Sequence, residues 1–176
     1  MSAEEAQVEK TAGSAAWTQG QYDRAVEHFS KAISLGGSDK EFLKVIYSNR
    51  SAAYHKLNKL QQALDDANKC IEVDSQWSKG YSRKGDALYA LRRFTDSYNA
   101  YNSGLRYASG DATLREKVDL AMRAIQSEAD STASNSSTTS SDQSTLTRYL
   151  KLAIIGLAVL YLIPFLPRFI SSTAYK

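Results

Sequence analysis

Residues 48–54, Ser-Asn-Arg-Ser-Ala-Ala-Tyr, and residues 79–85, Lys-Gly-Tyr-Ser-Arg-Lys-Gly, decide the fold. Tyr47 and Tyr81, Asn49 and Arg83, Ala53 and Ala87, and Ala67 and Tyr101 each lie 34 residues apart. A register kept over a whole repeat length means that one supersecondary unit has been laid down more than once. It extends backwards through Gly13, Ser51 and Gly85, through Tyr22, Leu60 and Phe94, and through Ala25, Ala63 and Ser97. The first interval is 38 residues, because the stretch GGSDK, Gly36–Lys40, is read as lengthening the connection by four.

Within each unit apolar residues recur at three- and four-residue spacing, which predicts two helices per unit. Ala25, Phe29, Ala32 and Leu35 form one stripe; Leu60, Ala63, Leu64, Ala67, Cys70 and Ile71 form the next. Small residues at the crossings allow helix axes to approach, and aromatics fill the space between neighbouring pairs. Gly20, Asn58 and the stretch 90–93 mark the tight turns inside the pairs.

Composition narrows the function. Of 22 basic and 19 acidic residues in 176, residues 131–176 hold Arg148, Lys151, Arg168 and Lys176 against Asp142, leaving 18 of each sign in residues 1–130. The repeat region is neutral, which disfavours a nucleic-acid domain, since that would carry its own basic footprint. Cys70 is the single cysteine, so no intramolecular disulfide forms and a reducing compartment is expected, with Cys70 as a buried spacer. His28 and His55, the two histidines, lie on helices of different repeats, without metal-ligand spacing or a phosphate-binding glycine loop. An enzyme, a metal site and a bound cofactor are therefore not expected.

These residues resemble the tetratricopeptide repeat, a 34-residue helix–turn–helix unit. The resemblance implies an all-α fold over residues 1–130: repeats at about 6–39, 44–77 and 78–111 and a cap helix at 112–129, stacked as a right-handed superhelix. Ser97 and Gly104 depart from the pattern and are expected to weaken packing of the third repeat.

The first helix of each pair is expected to line the groove. Lys10, Ser14 and Trp17 share one helix face; Asn49, Ala52 and Lys56 share the next, with His55 beside them; Lys79 and Arg83 stand one turn apart on the third. Two cations beside an amide suggest a receptor for an anion. The pattern resembles the carboxylate-clamp domains of co-chaperones of the Hsp-organising and small glutamine-rich types. That resemblance implies that Lys10, Asn49, Lys79 and Arg83 grip the C-terminal Glu-Glu-Val-Asp of 70- and 90-kDa heat-shock chaperones. Ser14 stands where the family has asparagine, and Trp17, Ala52 and His55 would form an apolar shelf for the Val. The alternative is a scaffold or precursor receptor whose groove takes a folded partner or a targeting segment.

Residues 131–145 contain 11 Ser or Thr in 15, within a stretch 131–147 that reads as a flexible linker. Leu152–Pro167 carries no charge, and the apolar run reaches Leu150–Ile170 if Lys151 and Arg168 snorkel. About 20 residues of helix are needed to cross a bilayer core, so 150–170 is read as a transmembrane anchor followed by a short tail, 171–176. The N-terminus shows no secretory signal, and a tail anchor leaves the repeats in the cytosol, on the mitochondrial outer membrane or the endoplasmic reticulum. The sequons at Asn49 and Asn135 are accordingly not expected to be glycosylated.

Overall fold

The structure, a computed structural model, describes residues 3–133. The expected linker at 131–147 lies mostly, and the expected anchor at 150–170 and tail at 171–176 wholly, outside the described residues. Met1–Ser127 form one compact unit; of the second, Glu128–Lys176, residues 128–133 are described and helical. Among the described residues there is no strand, and no helix is long and apolar enough to cross a membrane.

Seven helices follow in chain order: α1 (Ala3–Thr18), α2 (Tyr22–Leu35), α3 (Lys40–Lys56), α4 (Leu60–Val73), α5 (Ser78–Ala90), α6 (Phe94–Leu105) and α7 (112–133). They pack as hairpins α1/α2, α3/α4 and α5/α6, with α2 against α3, α4 against α5, and α3 also against α5.

Each hairpin turns in the same way. Gly20, Asn58 and Arg92 take positive φ of 73°, 56° and 61°. Around each, the next residue's N–H donates six residues back, Gln21 to Ala16, Lys59 to Tyr54 and Arg93 to Leu88, at 2.9 Å every time. This left-handed closure satisfies carbonyls that a helix end leaves orphaned. Gly and Asn adopt it at little cost, whereas Arg92 holds it against its own preference.

The four extra residues of the first interval do not lengthen a loop. Gly36–Asp39 and Asp74–Trp77 are connections of equal length, and α3 is 17 residues long where α5 is 13. Four residues are about one helical turn, so the insertion adds a turn at the start of α3 without rotating its core face. The Asp39 side chain caps that turn, accepting from the Phe42 N–H at 3.1 Å, and Phe42 packs over Gly36, where a Cβ would lie 2.8 Å from the ring.

The core runs along the stack as three successive clusters, around Phe29 and Ile46, around Leu64 and Leu88, and around Tyr101 and Leu114. Side-chain sizes alternate across the hairpins. A Cβ on Gly13 would come within 2.7 Å of the Phe29 ring, and one on Gly85 within 2.2 Å of Tyr101. The equivalent positions in the second hairpin are Ser51 and Ala67, small on both sides, and Ser51 Oγ donates to the Ala63 carbonyl at 2.7 Å.

The third repeat is not loosened by its departures from the pattern. Ser97 is fully buried, but its hydroxyl donates to the Gly85 carbonyl at 2.9 Å, so no polar group is stranded. Gly104 lets Leu114 of α7 approach until a Cβ there would sit 2.9 Å from the leucine methyl.

Buried polar ties fix the helices to one another. Arg50 donates Nε and Nη2 to Asp66 at 2.7 and 2.8 Å and Nη1 to Ser30 Oγ at 2.9 Å, joining α3 to α4 and α2. Cys70 is a buried spacer: it donates to the Lys44 carbonyl, and burial pushes its thiol up to about 12, out of reach of ordinary thiolate chemistry.

Candidate functional site

The helices α1, α3 and α5 put their equivalent faces side by side. Ser14, Trp17 and Thr18 of α1, Asn49 and Ala52 of α3, and Arg83 of α5 line one cavity of about 240 Å³, floored by Phe29. Three of the five expected carboxylate-binding residues and two of the three shelf residues therefore meet at one place. Lys10 and Lys79 stand one turn before Ser14 and Arg83 on their own helices. Each is held over an aromatic ring, Lys10 at 5.6 Å from the Phe42 centroid and Lys79 at 5.9 Å from that of Trp77. His55, the third shelf residue, lines an adjoining cavity of about 320 Å³ with Trp17, Ala52, Lys56, Arg83 and Asp86.

The polar groups in the groove are poised rather than spent. Asn49 is half-buried and its amide has no partner among the described residues. Arg83 Nε is buried without a hydrogen-bond partner, and Nη1 lies 3.5 Å from Asp86 Oδ2, too far for a strong bond. A buried donor left without an acceptor costs roughly 1–3 kcal/mol, so an anion reaching this cavity finds the desolvation of Arg83 already met. Ser14 Oγ donates to the Lys10 carbonyl at 3.0 Å, a bond within its own helix that leaves its lone pairs free and breaks on rotation about χ1.

Desolvation, and then the neighbouring positive charge of Arg83, lower the Lys79 ammonium below its ordinary value. Two cations a turn apart repel, and that repulsion is relieved when a carboxylate sits between them.

Two residues of the site escaped the sequence reading. Asp86 accepts from Lys117 Nζ at 2.7 and 3.0 Å and from Tyr101 Oη at 2.9 Å, while facing Arg83. Lys117, on α7, neutralises the one carboxylate that would otherwise compete for Arg83. The Arg83/Asp86 spacing of three was a visible signal; the arrival of Lys117 depends on how α7 docks and was not.

A larger cavity, about 420 Å³, opens between α4, α5 and α6, lined by Asn68, Lys84, Arg93, Asp96 and Asn99 among others. Arg93 is there paired with Asp96 at 2.7 Å, so the smaller cavity at Arg83 offers the stronger anion chemistry.

Residues 4–76 match the tetratricopeptide repeat family model. Heat shock protein STI1 of Saccharomyces cerevisiae is 38% identical over 117 residues, covering 66% of this chain and 19% of its own length. The first TPR of Spaghetti (RPAP3) bound to the HSP90 peptide SRMEEVD superposes with a TM-score of 0.65 at 25% identity, covering 72% of this chain and 99% of that one. The TPR2B domain of yeast Sti1 in complex with an Hsp70 peptide gives 0.61 at 26% identity, over 70% and 98% of the two chains. The chain spans less than half the length of the curated relatives it matches. Its described residues form a tetratricopeptide-repeat domain that resembles those of Hsp70–Hsp90-organising co-chaperones.

Proposed function

We propose that this tetratricopeptide-repeat domain captures the free C-terminal Glu-Glu-Val-Asp of 70- and/or 90-kDa heat-shock chaperones, and that it works as an adaptor rather than an enzyme. The observation that carries the reading is the cavity at which Asn49, Ser14 and the unpartnered Arg83 Nε converge. A chain ending in Asp offers two carboxylates, the main-chain one and the side chain, so two separate donor sets are needed. Lys10 and Asn49 would hold the terminal carboxylate, with Ser14 adding a hydroxyl or a bridging water. Lys79 and Arg83 would hold the Asp side chain, with Trp17 and Ala52 beneath the Val.

Charge-assisted bonds of roughly 1.5–3 kcal/mol each, offset by ordering of a flexible tail, set an affinity near micromolar, about −8 kcal/mol. The resemblance to domains solved with HSP90 and Hsp70 peptides supports this occupant.

The reading includes a membrane anchor at 150–170, supported by the length and apolarity of that run. The domain would then recruit chaperones to a cytosol-facing organelle surface, that of the mitochondrial outer membrane or the endoplasmic reticulum. Imaging a fluorescent fusion of residues 131–176 separates the two, and a diffuse signal would remove the anchor.

Calorimetric titration with a peptide ending in Glu-Glu-Val-Asp tests the groove. The free acid binds near micromolar and weakens as salt rises, whereas the C-terminal amide loses binding. Equal affinity for acid and amide would instead favour a scaffold that takes folded partners.

A further inference from the structure

We infer that His55 and Lys56 form a second anionic subsite, which reads an acidic side chain three residues before the end of the bound peptide. The inference rests on the carboxylate-clamp reading and adds a selectivity to it.

The cavity at His55 is continuous with the clamp cavity, because Trp17, Ala52 and Arg83 line both. A peptide anchored at Asn49 therefore has one open course along α3, over Ala52 and towards the helix end. His55 and Lys56 lie six and seven residues beyond Asn49, about 9–10 Å at 1.5 Å per helical residue. An extended peptide advances about 3.3 Å per residue. Counting back from the anchored end, the side chain reaching His55 and Lys56 belongs to the third residue before the terminus.

The chemistry of the cavity favours an acid there. Neither the His55 ring nor the Lys56 ammonium has a side-chain partner among the described residues, so both are available as donors. Asp86, the carboxylate lining this cavity, is already held by Lys117 and by the Tyr101 hydroxyl, and Arg83 adds positive charge from the other wall. Lys44 and Arg50 on α3 are not available, being paired with Asp74 and Asp66. The occupant this leaves is a Glu or Asp side chain, so the groove prefers tails that carry an acid at that position over tails that share only the terminal residues.

The test is a set of titrations on the full chain with peptides ending in Glu-Glu-Val-Asp, Gln-Glu-Val-Asp and the Glu-Glu-Val-Asp amide, each against the native protein and the variant His55→Ala/Lys56→Met. The methionine keeps the apolar stem of Lys56, and both positions are at the surface end of α3, so circular dichroism is expected to be unchanged. The native protein should discriminate Glu from Gln at the third position by about fivefold, the scale of two partly exposed charge contacts. The variant should bind both equally, while its sensitivity to amidation persists. Discrimination below about 1.5-fold in the native protein, or discrimination undiminished in the variant, overturns the subsite with the clamp intact. Indifference to amidation in the native protein overturns the clamp, and the subsite with it.

Discussion

Asp66→Ala tests how the groove helix α3 is held. Asp66 is 2% exposed, and the Arg50 side chain facing it is 13% exposed. The two share a bidentate pair at 2.7 and 2.8 Å. Removing the carboxylate leaves a guanidinium facing a protein wall, a loss that for buried pairs costs roughly 3–5 kcal/mol. Arg50 keeps the Ser30 hydroxyl and the faces of Tyr47 and Tyr54, 5.8 and 5.7 Å away, so the lower end applies, about 3 kcal/mol. With a urea slope of about 2 kcal/mol per molar, the midpoint followed at 222 nm falls by about 1.5 M. The double variant Arg50→Met/Asp66→Leu removes both charges and should recover to within about 1 kcal/mol of the native domain. A single-variant loss under about 1 kcal/mol, or a double variant no better than the single one, would refute the assignment of this pair as a buried charge tie.

Other outcomes follow from the same geometry. Gly85→Ala places a Cβ 2.2 Å from Tyr101 and should cost about 2–3 kcal/mol. Joining Gly85→Ser to Tyr101→Ala rebuilds the Ser51/Ala67 pairing and should cost less than the sum of the two single changes, as read in a double-mutant cycle of urea midpoints. Arg92→Gly relieves a left-handed residue worth about 1–2 kcal/mol; set against the Phe94 ring contact and the entropy of glycine, it should raise stability by about 0.5 kcal/mol, and a net loss would contradict the strain. Lys79 has its folded value lowered below 10.5, so it is held charged at a cost, and stability rises with pH through the window between that lowered value and 10.5. A bound carboxylate favours the charged form, so peptide affinity is highest below that window and falls through it; Lys79→Arg should remove the alkaline fall.

The repeat register carried most of the fold. Gly20 and Asn58 announced two of the three turns by residue type, and Arg92 could be placed only because it stands 34 residues after Asn58. The insertion at 36–40 was counted correctly but misplaced. Gly-Gly-Ser reads as loop, and the capping of Phe42 by Asp39 that turns the extra residues into helix is a tertiary preference. Ser97 and Gly104 looked like defects because pattern matching scores residue types one at a time. The structure completes each with a partner, the Gly85 carbonyl and the Leu114 side chain. In the groove, helical spacing was enough to bring Ser14, Trp17, Asn49, Ala52 and Arg83 to one cavity. What it lacked was Lys117, whose contact with Asp86 spans 31 residues and depends on the docking of α7.

The central claim is that Arg83 is a charge held ready for a carboxylate, and calorimetric titration of Arg83→Ala with a Glu-Glu-Val-Asp peptide tests it most directly. Loss of charge-assisted bonds worth about 3 kcal/mol in total predicts a roughly hundredfold weaker complex with helix content unchanged. An affinity within about twofold of the native domain would contradict it.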